Sequence, residues 1–381
     1  ATVINSLNNS NACGPLSIPT NLLKLGVNYV SVPLAMIINE SFAQGIFPEF
    51  LKVAKVTPIF KSGPKEHCTN YRPISLLSNI SKIFEKCMFN RLSQYLEKHR
   101  VLYDLQFGFR KHHSTSHALI HTTDYIKTRL DKGELVGALF LDFQKAFDSV
   151  NQQILLQKLS TYGVRGNCLE WFRTYLLNRR QFVVIDDAES EEAHVSHGVP
   201  QGSTLGPLLF LLYINDFHAC THSSLSYHFA DDTTVFFPSN SVKKIRKAMS
   251  LQLHSILDWL AANRVSLNAK KTELVLFRPK NKPSTTRLTI KIRGCKVFTT
   301  TKVKYLGVIL DHQLQWKHHI TELEKKLSMA VGLLCKLRHY VDTKTLRGLY
   351  FNLFHSHLLY GSVVWGHASQ DELKKLYRLQ K

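Results

Sequence analysis

Two adjacent carboxylates interrupt a segment that otherwise has the composition of a β-strand. Asp231 and Asp232 lie inside an aromatic and β-branched run that extends over residues 225–237. A strand normally alternates apolar and polar residues, so the run predicts a β-hairpin with both aspartates at its turn. Two neighbouring negative charges are costly unless cations accompany them, and carboxylate oxygens are the ligands that Mg²⁺ prefers. The pair therefore predicts a site for phosphate chemistry, provided that a third carboxylate joins it.

A candidate for the third carboxylate follows an almost continuously apolar segment. Residues 135–143 predict a strand that is buried on both faces, and Asp142 falls almost at its end. A charge in that position is costly unless a metal ion balances it. If this strand pairs beside the hairpin, Asp142, Asp231 and Asp232 meet at one end of the sheet. They are then expected to hold two Mg²⁺ ions, with Mn²⁺ as a substitute.

The remaining pattern mixes helices and strands. Apolar spacing predicts helices over residues 32–42, 80–97, 155–177 (two helices around a glycine turn), 208–213 and 242–260, and from residue 318 onward. Short strands are predicted over 181–185, 273–277, 288–292 and 303–310. The predicted fold class is therefore α+β, followed by a helical module.

The charge of the chain favours a polyanionic partner. The 381 residues include 49 Lys and Arg against 28 Asp and Glu, which gives a formal net charge of +21. Nucleic acid is the favoured partner, although a merely basic soluble protein is the simpler alternative. No segment is long and apolar enough to span a bilayer, so no membrane partner is expected. The seven cysteines, Cys13 among them, are scattered without a Cys-x-x-Cys pair, which indicates reduced thiols and no zinc site.

Several short motifs together resemble the reverse transcriptases of non-LTR (LINE-type, jockey-like) retrotransposons. Each motif is weak alone, but their order and spacing are specific. The resemblance covers nearly the whole chain. In chain order, the motifs are Tyr71-Arg72-Pro73-Ile74-Ser75, Gln106-Phe107-Gly108-Phe109-Arg110, Asp142 to Asp148, Val199-Pro200-Gln201-Gly202-Ser203, Phe229-Ala230-Asp231-Asp232, Leu267-Asn268 with Lys271-Thr272-Glu273, and Tyr305-Leu306-Gly307.

This resemblance implies a right-hand polymerase fold, with fingers and palm built from an antiparallel sheet plus helices, followed by a largely helical thumb. The implied domains are an N-terminal extension packing on the fingers (1–41), a reverse transcriptase domain (42–311) and a thumb (312–381), which is expected to be truncated. The chain starts with Ala1 and contains no endonuclease-like region. A fragment of a longer polyprotein is therefore expected.

The resemblance also implies roles for individual residues. Asp142, Asp231 and Asp232 would bind the metals, and Lys271 would donate a proton to the leaving pyrophosphate, although Lys270 next to it is an alternative. The implied nucleotide-binding residues are Lys61, Arg72, Arg110, Phe147, Gln201 and Gly202, and the implied primer grip is Tyr305, Leu306 and Gly307.

Two of these roles have open alternatives. The aromatic ring of Phe147 would exclude a ribose 2′-hydroxyl, but it would equally suit a residue that only fills the core. The cation of Arg110 would either join the phosphate cradle formed by Lys61 and Arg72 or brace the fingers. Asp148 is expected to be a structural cap or hydrogen-bond acceptor rather than a metal ligand.

The implied activity is RNA-directed DNA polymerisation. Deoxynucleoside triphosphates would be added to a DNA primer on an RNA template, as in target-primed reverse transcription. A catalytically inactive nucleic-acid-binding remnant of a retrotransposon is the main alternative, and a host-adopted, telomerase-like polymerase is a further one. The family implies a location in the nucleus and in cytoplasmic ribonucleoprotein, and the oligomeric state is not predicted.

Overall fold

The computed structural model describes residues 1–9, 14–15, 18–186, 188–221, 224–281 and 288–381. Cys13 lies outside the described residues, and none of the other six cysteines forms a disulfide within them. In chain order, the described helices are α1 (Thr2–Asn5), α2 (Thr20–Leu25), α3 (Val27–Gln44), α4 (Asn79–Lys98), α5 (Thr115–Asp131), α6 (Gln152–Thr161), α7 (Asn167–Leu176), α8 (Gly206–Ile214), α9 (Val242–Ala262), α10 (Lys317–Leu337), α11 (Thr343–Leu349), α12 (Ser356–Leu359), α13 (Ser362–Trp365) and α14 (Gln370–Gln380). Over those same ranges, none of the helices has the length and apolar character that crossing a bilayer requires.

The strands lie between these helices along the chain, mostly in consecutive groups. They are β1 (Val53–Phe60), β2 (Tyr71–Leu76), β3 (Leu135–Leu141), β4 (Arg179–Ile185), β5 (Ala188–Glu189), β6 (Ala193–Val195), β7 (Leu225–Phe229), β8 (Asp232–Ser239), β9 (Glu273–Phe277), β10 (Thr289–Ile292), β11 (Cys295–Thr300), β12 (Lys302–Tyr305) and β13 (Val308–Asp311). The predicted α+β class is confirmed.

The chain forms two compact units, each assembled from separate stretches of sequence. The first unit contains Ala1–Tyr103, Gln144–Phe217 and Trp259–Ser266. Its sheet has the strand order β2-β1-β4-β5, with β6 also paired to β4. Strands β1 and β2 are antiparallel, whereas β1 and β4 run parallel.

Aromatic side chains dominate the core of the first unit. Trp171 and Tyr175 of α7 are fully buried, and their rings stack with centroids 5.5 Å apart. Phe47 packs edge-on against both rings and against Phe84 of α4. Burial of side chains of this size contributes roughly 2–3 kcal/mol each, so this cluster holds α4 and α7 together.

The second unit contains Asp104–Phe143, His218–Asp258 and Leu267–Lys381. Its six-stranded sheet has the order β10-β11-β9-β3-β8-β7, and a separate two-stranded sheet joins β12 to β13. Every residue of β3 is buried, as the apolar run predicts for a strand between two neighbours. Ile245 and Met249 of α9 cover this strand at Gly137.

Several features of the fold depart from the predictions, and among them helix α5 was not predicted. Residues 303–310 are not one strand, because the turn at Leu306–Gly307 divides them between β12 and β13. Strands β1 and β2 were not predicted, and each contains a proline that cannot donate to a strand ladder. Strand β11 was not predicted either. The predicted domain boundaries stay predictions, although the first of them falls inside α3.

Candidate active site

The doubled aspartate lies at the tip of the hairpin formed by β7 and β8. The pair Phe229↔Asp232 closes the ladder, so Ala230 and Asp231 form a two-residue turn. The hairpin prediction is confirmed, but Asp232 belongs to the start of β8 rather than to the turn. Ala230 has a left-handed backbone with φ of 55°, which tight hairpin turns of this length use at one or both positions.

The predicted pairing of the buried strand beside this hairpin is also observed. Strand β3 is antiparallel to β8 with Leu141 opposite Thr233, so the next pair in the same register is Asp142 opposite Asp232. The backbone carbonyl of Asp142 accepts a hydrogen bond of 2.8 Å from the N–H of Asn268, which ties the end of β3 to the loop before β9. The register thus brings Asp142 and Asp232 to the same end of the sheet.

The charges at this end of the sheet repel one another. The side chain of Asp232 is exposed to solvent on one side. On its other sides, neighbouring residues displace much of the surrounding water. This burial, followed by the charges of Asp231 and Asp142, raises the pKa of Asp232 to about 6. The shift indicates that the three carboxyl groups are electrostatic neighbours.

The three side chains are chemically suited to a divalent cation, but they are not gathered into a metal site. All three groups are carboxylates, the hard oxygen ligands suited to Mg²⁺. However, within the described ranges no three His, Cys, Asp or Glu side chains are close enough to form a ready-made metal site.

A cavity of about 560 Å³ lies beside these acids within the second unit. Asp142 and Asp232 line one part of it, and Lys270 and Lys271 line another. Because both lysines reach this cavity, the choice between them as proton donor stays open. Opposite charges across a concave site are suited to binding a polyphosphate near cations.

The predicted primer-grip residues line the same cavity, at the turn between β12 and β13. Tyr305 ends β12 and is buried. Both turn residues, Leu306 and Gly307, have positive φ, which is the pattern of a type I′ hairpin turn. The Tyr360 hydroxyl donates a hydrogen bond of 2.7 Å to the carbonyl of Leu306.

The segment from Gln106 to Arg110 supports the aspartate hairpin. The Gln106 side-chain oxygen accepts hydrogen bonds from the N–H groups of Gly108 and Ala230, at 2.8 and 3.0 Å. A Cβ atom on Gly108 would lie closer than 3.0 Å to the backbone nitrogen of Ala230, so only glycine fits there without a shift. The Arg110 guanidinium donates to the Gln106 carbonyl, which supports the bracing alternative for this residue.

The other predicted nucleotide-binding residues belong to the first unit. Lys61 follows β1, and its N–H donates to the carbonyl of Asn70, which extends the β1–β2 ladder by one step. Arg72 lies two residues further along β2, so Lys61 and Arg72 share one face of this ribbon. Both side chains are exposed, as a phosphate-binding pair requires.

Phe147 and Gln201 are both linked to the same short segment of the first unit. The Phe147 ring is half-buried and stacks on Phe210 of α8, with centroids 4.4 Å apart. The next residue, Asp148, accepts a hydrogen bond of 2.6 Å from the Gln201 side chain. Asp148 is therefore a hydrogen-bond acceptor, as expected, and burial raises its pKa.

Gly202 lies in a backbone conformation that favours glycine. Its φ is +126°, and a Cβ atom there would lie closer than 3.0 Å to the carbonyl oxygen of Ser75. The Ser75 N–H also donates to the Gln201 carbonyl at 2.8 Å. Ser75 and Asn268 belong to the motifs, but their supporting contacts with Gln201 and Asp142 were not predicted. Tyr360 lies outside every motif, and no local signal marks it, because it acts through a contact distant in sequence.

Comparison with known proteins identifies the family of this chain. The family described as "Reverse transcriptase (RNA-dependent DNA polymerase)" matches residues 61–310. The chain is 31% identical over 364 residues to the probable RNA-directed DNA polymerase from transposon BS of Drosophila melanogaster, an alignment that covers 91% of this chain and 39% of that protein. It is 30% identical to the RNA-directed DNA polymerase from mobile element jockey of Drosophila funebris, again over 91% of this chain and 39% of the relative. The chain therefore spans about two fifths of the length of these relatives.

The fold is also found among solved structures. Telomerase from Candida albicans in complex with a TWJ fragment of telomeric RNA aligns with a TM-score of 0.50 and 15% identity, over 95% of this chain and 66% of that one. At this identity the likeness shows a shared right-hand polymerase fold and no more. The resemblance to jockey-like elements is confirmed by the relatives above, and the chain belongs to the reverse transcriptase (RNA-dependent DNA polymerase) family.

Proposed function

We propose that this chain is the polymerising part of an RNA-directed DNA polymerase that extends a DNA primer on an RNA template. The observation that carries the proposal is the register of β3 against β8, which sets Asp142 opposite Asp232 at the edge of a cavity. Lys270 and Lys271 border the same cavity and would neutralise a bound polyphosphate. The family match supports the reaction type, whereas the activity of the longer relatives is itself part of the proposal.

Asp142, Asp231 and Asp232 would hold two Mg²⁺ ions, or Mn²⁺ in their place. Bound there, the ions would supply charge neutralisation for the primer hydroxyl and the triphosphate. Lys271, or Lys270, would protonate the leaving pyrophosphate, since general acids of this kind act near their substrate oxygen.

The residues of the first unit would bind the incoming nucleotide. Lys61 and Arg72 present two cations on one face of the β1–β2 ribbon, which suits a triphosphate. Phe147 would select deoxyribose, because a ring at the sugar leaves no space for a 2′-hydroxyl. Gln201 and Gly202 would support the nucleotide and the template base. These assignments rest on the order of the motifs along the chain.

The partners would be an RNA template, a DNA primer and deoxynucleoside triphosphates. The net charge of +21 supports binding to two nucleic-acid strands. Tyr305, Leu306 and Gly307 would hold the primer end, since they line the cavity that also contains the aspartates. Priming from a nicked chromosomal target, and location in the nucleus and in cytoplasmic ribonucleoprotein, are further parts of this proposal.

A primer-extension assay tests the proposal. The purified chain is supplied with poly(rA), an oligo(dT) primer, dTTP and Mg²⁺, and wild type is compared with Asp231→Asn and Asp232→Asn. We expect each variant to lose at least about 100-fold in rate, because a neutral amide would hold a divalent cation at the reacting phosphate far less well than a carboxylate does. Asp258→Asn, on the exposed face of α9, is the matched control and should extend normally.

Failure of the folded wild-type chain to extend any primer would refute the enzyme proposal. If that chain still bound the RNA–DNA duplex, the alternative of an inactive nucleic-acid-binding remnant would take its place.

A further inference from the structure

Glu85 of α4 is a fully buried acid that the motifs do not include. Its Oε2 accepts a hydrogen bond of 2.6 Å from the backbone N–H of Thr204, and its Oε1 accepts one of 3.2 Å from the Tyr175 hydroxyl. The Ser81 hydroxyl is a weaker donor to the same carboxyl group, at 3.4 Å. Burial raises the pKa of Glu85, and the nearby Arg179 guanidinium counteracts this. Burying a carboxylate lowers the stability of a fold unless partners compensate for it. The hydrogen-bond partners of Glu85 therefore indicate its role.

The strongest partner of Glu85 is the loop that carries Gln201. Thr204 lies three residues after Gln201 and two before the start of α8. This loop has two further anchors, at Ser75 of β2 and at Asp148. Glu85 supplies the third anchor, from α4.

The two residues before α8 present N–H groups that need an acceptor. The first N–H of the helix itself, that of Gly206, already donates to the Ser203 hydroxyl at 2.8 Å, and Pro207 has no N–H. Leu205 is buried, as are all but one of the residues of α8, so water cannot replace a missing partner here. The Glu85 carboxylate accepts from the N–H groups of Thr204 and Leu205, and so ties the end of the loop to α4.

We propose that Glu85 is a positioning residue, whose buried carboxylate holds the loop of Gln201 and Gly202 in the conformation that binds the incoming nucleotide. This inference rests on the proposed function of that loop. Asp148 and Ser75 fix the Gln201 side chain and carbonyl, while Glu85 fixes the point where the loop enters α8. Loss of this third anchor lets the loop move and weakens nucleotide binding before it affects the chemical step.

A purely structural role would instead be to balance the charge of Arg179. Arg179 is buried at the start of β4 and stacks on the Tyr175 ring. The double variant Glu85→Met with Arg179→Met separates the two roles. Replacing a buried pair of opposite charges by apolar side chains of similar size is often tolerated or stabilising, so this variant is expected to fold. It removes the loop anchor without leaving an unpaired charge.

The experiment compares wild type, Glu85→Gln, the double variant and Ser81→Ala. Ser81→Ala is the matched control, because it removes a weak hydrogen bond to Glu85 from within α4 and leaves the bond to Thr204 in place. The readouts are KM for dTTP and kcat in primer extension, the urea midpoint, and deuterium uptake of a peptide covering residues 199–206. A peptide covering residues 53–60 is the internal reference.

We expect KM to rise about tenfold in the double variant, with kcat changed far less, and uptake to accelerate in the 199–206 peptide alone. Glu85→Gln should show the same changes to a smaller degree, because its neutral oxygen is a weaker acceptor. Ser81→Ala should match wild type in KM and loop uptake. A folded double variant with wild-type KM and wild-type uptake would overturn the inference.

The two proposals fail in different ways. If wild type extends no primer, the proposed function is wrong, but deuterium uptake still decides whether Glu85 anchors the loop. If wild type extends primers and the double variant behaves like it, the role of Glu85 alone is refuted.

Discussion

Two hairpins of the second unit reach the cavity through loops of the same length, two residues, but carry different side chains. The β7–β8 hairpin turns at Ala230–Asp231 and carries the acids, whereas the β12–β13 hairpin turns at Leu306–Gly307 and is uncharged at its tip. Both reach the same cavity, the first through Asp232 and the second through its turn. Because both hairpins have a two-residue turn, the chemistry at each tip comes from its side chains.

The two hairpins also differ in what holds them. The acidic turn rests on a buried support, since Gln106 accepts a hydrogen bond from Ala230 and Gly108 packs against it. The uncharged turn is held at the surface by the Tyr360 hydroxyl. Buried supports tolerate less change than exposed ones, because neighbouring atoms leave no room to relax. A substitution in the support of the acidic turn should therefore have a larger effect than one in the support of the uncharged turn.

The largest effect is expected from Gly108→Ala. The new methyl group would collide with the backbone of Ala230, and crowding of this kind costs about 1–3 kcal/mol in well-packed regions. Because the collision also displaces the turn that carries Asp231, primer extension should fall further than stability does. Urea unfolding and the extension assay measure the two effects. Gly332→Ala in α10 is the control, since a Cβ there meets nothing within 4 Å, and equal behaviour of the two variants would contradict the account of the support.

An intermediate effect is expected from acid, because a buried histidine is hydrogen-bonded to each hairpin: His228 within the first, and His319 of α10 against the second. His228 lies in β7 and bonds Thr233 and Ser226, and burial lowers its pKa to about 3. His319 accepts from the N–H of Ile309 in β13, and burial lowers its pKa to about 4. Since the unfolded chain binds these protons near pH 6.5, stability is full above that pH and falls as the pH decreases.

Each histidine should remove about 2 kcal/mol from the free energy of unfolding between pH 7 and pH 5. Denaturant titrations of His228→Gln and His319→Gln should show a shallower acid loss, with exposed His254→Gln as control. Below pH 4 the contribution of His319 should level off while that of His228 continues. An acid loss as steep in both buried-site variants as in wild type would show that these side chains do not stay neutral in the fold.

The smallest effect is expected from Tyr360→Phe. This change removes an exposed hydrogen bond to the Leu306 carbonyl, worth about 1 kcal/mol or less. If the turn holds the primer, the dissociation constant for primer–template should rise by up to about fivefold, with stability nearly unchanged. Fluorescence anisotropy with a labelled duplex measures this. Tyr340→Phe, at an exposed site in the same unit, should have no effect, and an equal change in both variants would argue against a role for the turn.

The two hairpins were also unequally predictable. The first was predicted because a doubled acid inside an apolar run fits a turn far better than the middle of a buried strand. For the β12–β13 hairpin the sequence predicts a single strand, since residues 303–310 contain only Gly307 as a turn signal. Strands β1 and β2 were missed for a different reason. Proline has no N–H to donate, so Pro58 and Pro73 argue against strands at these positions. The structure nevertheless places them opposite each other in the β1–β2 ladder.

The sequence by itself determined that a doubled acid interrupts a strand-like run at a hairpin and that a buried strand leads to Asp142, because charge and apolar patterning are local properties. Only the tertiary structure decided that Asp142 lies opposite Asp232, that Gln106 and Gly108 support the turn, and that Glu85 anchors the loop before α8. Each of these contacts joins residues about ninety or more positions apart. Their partners are selected by strand register and by the need to satisfy buried N–H groups, which no local pattern encodes.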